Sequence, residues 1–444
     1  MRVMMQDQLP LMQPFVGHDH GQELAEMGLI LDKIPQVLKL LDRDLIQGRR
    51  RDVGRPGMSA EQVLRAVVVK QMNGYSYEEL SFHLADSISY RAFCRIGVCE
   101  EAPSRSTLQA NISRVSVETL ECLNHAILGM AKEEGIEDGS VVRGDCTTVE
   151  TNIHAPTDSG LLWDVERVLL RLMRKGVEYG VTYTNHQRRA KRRRHDIRNA
   201  KRREDREGLY GDLVKVVEAT LGEAEQAIST LGIRDEDEAK QLARGLRHYV
   251  GLGRRVVDQT RRRVFEGESV PSSEKVVSIF EDHTDILVKG SRETEYGHKV
   301  WLTSGESSMI LDCKVTEGNP ADSTLTGEIM KRHLELYGEV PEEVAFDGGF
   351  ASRSNLEALK AVGIQEVMFS KRCGLPLHEM VTETWVYKRL RNFRAGIEGC
   401  ISFLKRSFGL DRCLWRGLKS FHAYVWSSVI SVNLLLMARH RMCS

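Results

Sequence analysis

The sequence predicts an α/β protein in which a sheet-containing core follows an all-α region and is interrupted by a second α-helical stretch. Three observations predict it. Apolar residues recur at helical spacing from about residue 21 to 135. β-Branched runs appear at 141–149 and from 276 to 315, followed by strand–helix alternation to 369. Between these runs, about 161–271 returns to helical spacing and carries a dense run of arginines.

In the first region Met27, Ile30, Leu31, Ile34, Leu38 and Leu41 form one helical stripe over 23–44, which Pro35 should kink or divide. Gly54-Arg55-Pro56-Gly57 breaks the chain. Ser59 with Gln62, and Ser76 with Glu79, then have the spacing of helix-opening capping boxes. A further helix after Asp86-Ser87 carries Tyr90, Arg91, Phe93 and Arg95. Short helices joined by tight turns match two architectures: a helix-turn-helix whose second helix enters a DNA major groove, or an ordinary helical bundle.

Val141 and Val142 lead a β-like run through Asp145 to Val149. In the helical stretch that follows, Leu209, Leu213, Val217, Leu221, Ala224 and Ile228, then Leu242, Leu246, Val250 and Val257, predict two amphipathic helices forming a hairpin. Arg188, Arg189, Lys191, Arg192, Arg193 and Arg194 precede them, relieved only by Asp196 before Glu204. Unpaired charge of this density is excluded from a core, so the run is either solvated or paired with a polyanion such as DNA. Strands follow at 276–280, 299–302 and 309–315, a turn at 318–322, a helix at 323–337, a strand at 344–347, a helix at 352–362 and a strand at 367–369.

Composition narrows the class. With 444 residues the chain has length for two or three domains. Lys plus Arg and Asp plus Glu number 63 each, so any nucleic-acid surface is local rather than global. Nine cysteines without C-x-x-C pairs or zinc-like spacing suit a reducing cytosol and argue against a disulfide framework. The N-terminus lacks an uninterrupted apolar segment, and the apolar stretch 426–437 contains serines and Asn433, so no membrane partner is expected. The chain contains no G-x-x-x-x-G-K-[ST] loop, which gives no support to a nucleotide-driven motor.

Three acidic segments carry the chemistry: Gly144-Asp145-Cys146-Thr147-Thr148, Ala345-Phe346-Asp347-Gly348-Gly349, and Arg394-Ala395-Gly396-Ile397-Glu398. Two Asp at strand ends and one Glu on a helix are what a two-Mg²⁺ phosphoryl-transfer site requires, because the ion prefers hard carboxylate and water oxygens. Gly348 and Gly349 leave room for close approach of a phosphate or of backbone. An isolated Asp-Gly-Gly is also an ordinary turn. Arg391, Arg394, Glu398 and Lys405 fall on one helical stripe, where the cations reach DNA phosphates beside a metal-bound Glu398. The alternative is a surface Arg394–Glu398 pair of little energetic weight. Leu390, Phe393, Ile397, Ile401 and Leu404 form the face that packs on the sheet.

These residues resemble the DDE transposases of bacterial insertion sequences, nearest to the unclassified ISNCY group. Arg394, Glu398 and Lys405 match that family's signature of Tyr, two residues, Arg, three residues, Glu, six residues, Lys, with Arg391 standing where the Tyr is usual. The resemblance implies a ribonuclease H-like catalytic core with an all-α N-terminal domain and an α-helical insertion. The boundaries are 1–135 for the DNA-binding helices, 136–160 for the first core segment, 161–271 for the basic insertion and 272–444 for the remaining core and C-terminal helices. It also implies Asp145, Asp347 and Glu398 as catalytic ligands of Mg²⁺, with Mn²⁺ as a substitute, and DNA contact by Arg391, Arg394, Lys405, Arg188, Arg189, Arg192, Arg193 and Arg194. The implied activity is cleavage at the element's ends and strand transfer to target DNA. The expected partners are terminal inverted repeats, target DNA and further copies of the chain in a homodimer or larger assembly, at the nucleoid in a bacterial cytoplasm. A stand-alone Mg²⁺ nuclease and a non-catalytic DNA-binding descendant are the other readings.

Overall fold

The computed structural model describes residues 17–48, 57–97, 99–288 and 294–443. The expected break at 54–57 therefore lies outside the described residues apart from Gly57, as do residues 1–16 of the N-terminus. Two compact units are formed: Met1–Glu150 with His298–Ser444, and Thr151–Gly297.

The first unit opens with α1 (Asp19–Asp32) and α2 (Pro35–Ile46); Pro35 starts the second helix at its first turn, where a missing N–H costs nothing. Ser59 and Gln62 close a capping box on α3 (Ala60–Asn73), and Ser76 and Glu79 close one on α4 (Tyr77–Asp86). Next come α5 (Ile88–Phe93), α6 (Arg105–Ile112) and α7 (Val117–Glu133). α3 is the buried hub. It encloses Arg65, which is matched by Asp32 at 2.6 Å and Glu61 at 3.0 Å. Such a helix is core rather than a groove-reading surface. The helices share one apolar cluster with the sheet, from Leu24 through Trp301 to Ala438, where the sequence suggested a separate domain ending at 135. β1 (Val141–Thr151) follows.

The second unit holds α8 (Asp158–Gly176), α9 (Gln187–Asn199), α10 (Arg203–Gly232) and α11 (Asp237–Val264), the last two forming the expected hairpin. The strand expected at 276–280 does not form. Val276 instead bonds Gln259 of α11 through both its amide and its carbonyl, which replaces a sheet ladder. β2 (Asp285–Val288) pairs antiparallel with the start of β3 (Thr294–Ser304). This unit spans 151–297, wider than the 161–271 read from sequence.

From His298 onward β3 belongs to the first unit and pairs antiparallel with β4 (Ile310–Val315). Then come α12 (Thr326–Tyr337), β5 (Glu343–Phe346), α13 (Arg353–Ala361), β6 (Glu366–Phe369), α14 (Leu377–Met380), α15 (Thr384–Ser407), β7 (Arg412–Cys413) and α16 (Leu418–Cys443). The sheet runs β4-β3-β1-β5-β6, and the pairs β1–β5 and β5–β6 are parallel. α16 is long and apolar enough to cross a membrane by composition, but 89% of its apolar window is buried inside the protein, so it is a core helix. Its Asn433 accepts from the Ile310 amide at 2.8 Å and donates to the Ile310 carbonyl at 2.7 Å, satisfying backbone groups of β4 at the sheet's edge.

Inside the second unit Glu166 on α8 is fully buried, and the nearby Thr220 hydroxyl offsets only part of the cost of that burial. Burial pushes its carboxyl up to about 7. The folded state thus holds the proton more tightly than the unfolded chain. The resulting stability is full below an ordinary carboxyl pKa near 4.5 and is lost as pH rises through about 7. We expect Glu166→Gln to remove this slope and to stabilise the unit by roughly 2–3 kcal/mol at pH 8. Hydrogen exchange of the α8, α10 and α11 amides across pH 5–8 measures it, and an unchanged pH dependence in the variant would refute the assignment.

Candidate active site

The parallel ladder places the first two acids. β1 and β5 stay in register from Val141↔Glu343 to Gly144↔Phe346, so Asp145 and Asp347 are the next residues on two adjacent strands. β5 and β6 end their register at Phe346↔Phe369, so Ser370 stands next in line beside Asp347. The Ser370 hydroxyl donates to Asp347 Oδ1 at 2.6 Å and accepts from the Gly348 amide at 2.9 Å. Carboxyl ends of parallel strands collect functional groups for this geometric reason, because each strand stops while its side chains still point to a common edge. The sequence reading put Asp145 near the end of a strand. β1 in fact continues to Thr151, and what ends at Gly144 is its pairing with β5.

α15 supplies the rest. Arg394 and Glu398 lie one turn apart, with Arg394 Nη1 at 2.8 Å from Glu398 Oε1. The same guanidinium reaches across to the sheet: Nη2 is 2.6 Å from Asp145 Oδ2 and 3.4 Å from Asp347 Oδ1. One cation therefore joins all three acids. Arg394 is 14% exposed, so it is not the weak surface pair that the i, i+4 spacing also allowed.

The environments of the two aspartates diverge. Burial raises the Asp145 carboxyl above its usual range, and the neighbouring charges of Asp347 and Asp322 add to this, against the Cys146 amide and Arg394. Burial also acts on Asp347, but the Ser370 hydroxyl, the Gly348 amide and the charges of Arg394 and Lys371 outweigh it and hold that carboxyl below its usual range.

Beside the acids opens a cleft of about 680 Å³ lined by Asp145, Glu398, Ser402, Lys405, Arg406 and Asp411. Lys405 lies 3.6 Å from Asp411. Arg391 is exposed on α15, and Tyr387, one turn earlier, donates its hydroxyl to the Phe369 carbonyl at 2.8 Å. The space expected beside Gly348 and Gly349 is filled. A Cβ at 348 would stand 2.7 Å from Lys371 Cβ, and one at 349 would stand 2.6 Å from Asp322 Oδ2. The Asp322 carboxylate is in turn 2.7 Å from the buried Lys299 amine. Sequence reasoning missed Asp322, Lys299 and Ser370, since nothing in their spacing distinguishes a turn acid, a strand lysine or a post-strand serine.

The basic run forms α9 within the second unit, away from these residues in the chain. Arg189 and Arg193 both pair with Asp212 of α10, and Arg193 lies 3.3 Å from Asp196. Asp212 is a neutralising partner that the linear sequence hides. Arg192 is 80% exposed at 3.9 Å from Asp196, while Arg188 and Arg194 are exposed with no ion pair among the described residues.

The donor set of three hard carboxylates suits Mg²⁺ or Mn²⁺. As the side chains stand, however, they close on a guanidinium, and among the described residues no three acidic, His or Cys groups are grouped to hold an ion. Divalent-metal binding thus fits the chemistry of the site on condition that Arg394 gives way.

A mixed sheet in which two acids follow the last paired residues of adjacent parallel strands, facing a helix that carries a third, fits the ribonuclease H-like class. Residues 279–434, which contain Asp347 and Glu398, match the Transposase DDE domain, a family with that fold, and residues 18–114 match the Transposase domain (DUF772). The chain thus carries transposase domains in both segments. Asp145 and most of the second unit lie between the two matches. No curated protein and no solved structure matches the chain.

Docking of α15 depends on Arg143, two residues before Asp145 on β1. Its guanidinium donates to Ser304 Oγ at 2.7 Å, the Phe393 carbonyl at 2.9 Å and Ser308 Oγ at 2.9 Å, and it stacks on the Phe393 ring. Gly396 lets the helix approach, because a Cβ there would overlap Arg143 Nη1, whereas Gly399 on the same helix has open space. We expect Gly396→Ala to destabilise the protein by about 1–3 kcal/mol through overpacking. Gly399→Ala should be neutral or stabilising by up to about 1 kcal/mol. Urea unfolding of the two variants reads the difference, and equal effects would show that the close approach of α15 is not constraining.

Proposed function

We propose that this chain cuts DNA at the ends of an insertion sequence and joins the freed 3′-hydroxyls to target DNA, with Asp145, Asp347 and Glu398 as catalytic carboxylates and ligands of Mg²⁺ or Mn²⁺. One observation carries the reading: acids from two adjacent strands and one helix meet on a single cationic group, in a chain that carries a DDE transposase domain. Bound divalent cations would supply activation of the attacking oxygen and stabilisation of the leaving one.

The protein's own part is positional and electrostatic. Asp347, held ionised by Ser370 and the Gly348 amide, is an oxygen donor ready at neutral pH. Asp145, raised by burial, is favoured in its charged form by a nearby cation. Glu398 reaches in from the solvent side, 66% exposed, and can follow the substrate. Lys405 and Arg406 line the same cleft as Asp145 and Glu398, so cations for a phosphate backbone stand beside the acids. Arg391, exposed on the same helix, extends that surface. Cleavage and joining are both in-line displacements at phosphorus, so one site serves both without a covalent enzyme–DNA intermediate. Handling two ends together calls for a dimer or larger assembly on the inverted repeats and target DNA, at the nucleoid of a bacterial cytoplasm. On this reading the basic helix α9 provides sequence-independent phosphate contact.

Asp145→Asn, Asp347→Asn and Glu398→Gln should each abolish Mg²⁺-dependent cleavage of an element-end duplex while leaving DNA affinity close to wild type. Near-wild-type cleavage by any of the three removes that residue from the site. For α9, neutralising Arg188, Arg192 and Arg194 should weaken binding to cognate and random DNA alike and lower the slope of log K against log salt by up to about 0.9 per lost contact. Arg193→Gln should change the slope little, because its guanidinium is engaged by Asp212 and Asp196. An unchanged slope in the triple variant would leave these arginines as solvated surface.

A further inference from the structure

We infer that Arg394 is a positioning residue with two partners: without metal its guanidinium gathers Asp145, Asp347 and Glu398, and a divalent cation entering the acids displaces it and frees it for the DNA backbone. The inference rests on the proposed reading of those acids as metal ligands. Three features of the side chain carry it. A single nitrogen, Nη2, is shared between the two aspartates at 2.6 and 3.4 Å, while Nη1 serves Glu398 at 2.8 Å. Among the described residues its buried Nε has no hydrogen-bond partner. Among them, too, no backbone carbonyl holds the head group, in contrast to Arg143, which is fastened by the Phe393 carbonyl and two serines. Arg394 is thus placed by the acids alone, whereas Arg143 is scaffold.

Charge then decides the exchange. Three carboxylates around one guanidinium leave the cluster short of positive charge, and a small divalent ion offers hard oxygen coordination that a planar guanidinium lacks. The two cations compete for the same oxygens, with Asp145 Oδ2 and Glu398 Oε1 already engaged by Arg394. The chain therefore keeps its acids together before metal arrives, and the resident guanidinium weakens the affinity of the acids for stray divalent ions.

The test is Mn²⁺ binding to the full-length protein without DNA, followed by calorimetry, in wild type, Arg394→Gln, Arg394→Lys and Asp347→Asn. We expect Arg394→Gln to bind Mn²⁺ about tenfold tighter or more, the effect of removing one competing charge, with Arg394→Lys close to wild type. Equal or weaker binding by Arg394→Gln overturns the inference. Mn²⁺ binding that Asp347→Asn leaves intact, or none in any chain, instead overturns the metal-ligand reading beneath it. A second measurement uses only the wild type: phenylglyoxal labelling of Arg394, read by peptide mass spectrometry, should accelerate when Mn²⁺ is added. Labelling that is unchanged or slower with Mn²⁺ means the guanidinium stays on the acids and the displacement does not occur.

Discussion

Mutual repulsion among three carboxylates at the edge of one sheet is the constraint on which the rest of the site depends. Asp145 and Asp347 follow the last paired residues of adjacent parallel strands, so the ladder itself forces two negative charges together. The closer they stand in a partly buried place, the more each penalises ionisation of the other. Positive charge must be brought to the edge, and α15 brings it in Arg394.

That requirement reaches into the packing behind the site. α15 can deliver Arg394 and Glu398 only if it lies close to β1, and the closeness is set by Arg143 bonding the Phe393 carbonyl across the space that Gly396 leaves open. On the neighbouring strand, Ser370 and the Gly348 amide orient Asp347, while the Lys299–Asp322 pair fills the room next to Gly349. The sheet, the helix and the loops around the acids are thus adjusted to one charge cluster. Asn433 serves the same sheet from the far side by satisfying the backbone of β4, which lets α16 cover an edge that would otherwise stay open.

The second unit follows a separate logic. It is a helical body with its own apolar cluster, from Leu161 to Ile279, and its most basic helix is partly neutralised from within by Asp212. The density of arginine in α9 therefore overstates the charge available to a partner. Arg188, Arg192 and Arg194 remain outward and available, whereas Arg189, though exposed, and Arg193 are engaged by Asp212.

Local patterns settle whatever is governed by neighbours within a turn or a strand. The capping boxes at Ser59 and Ser76, a break in the first helical stretch at Pro35, the α10–α11 hairpin, the three acidic segments and the stripe through Arg394, Glu398 and Lys405 are all legible in the sequence alone. Contacts between residues far apart in the chain are not. Whether Val276–Phe280 pairs as a strand depends on which other groups compete for its backbone, and here the Gln259 side chain takes both the amide and the carbonyl of Val276. Whether Arg394 faces solvent or the acids depends on how near α15 lies to β1, a distance set by Arg143 and Gly396 across about 250 residues of chain. Helical periodicity chose the face, and only the tertiary structure decided what that face meets, because charge pairing depends on distance in space and the sequence records distance along the chain.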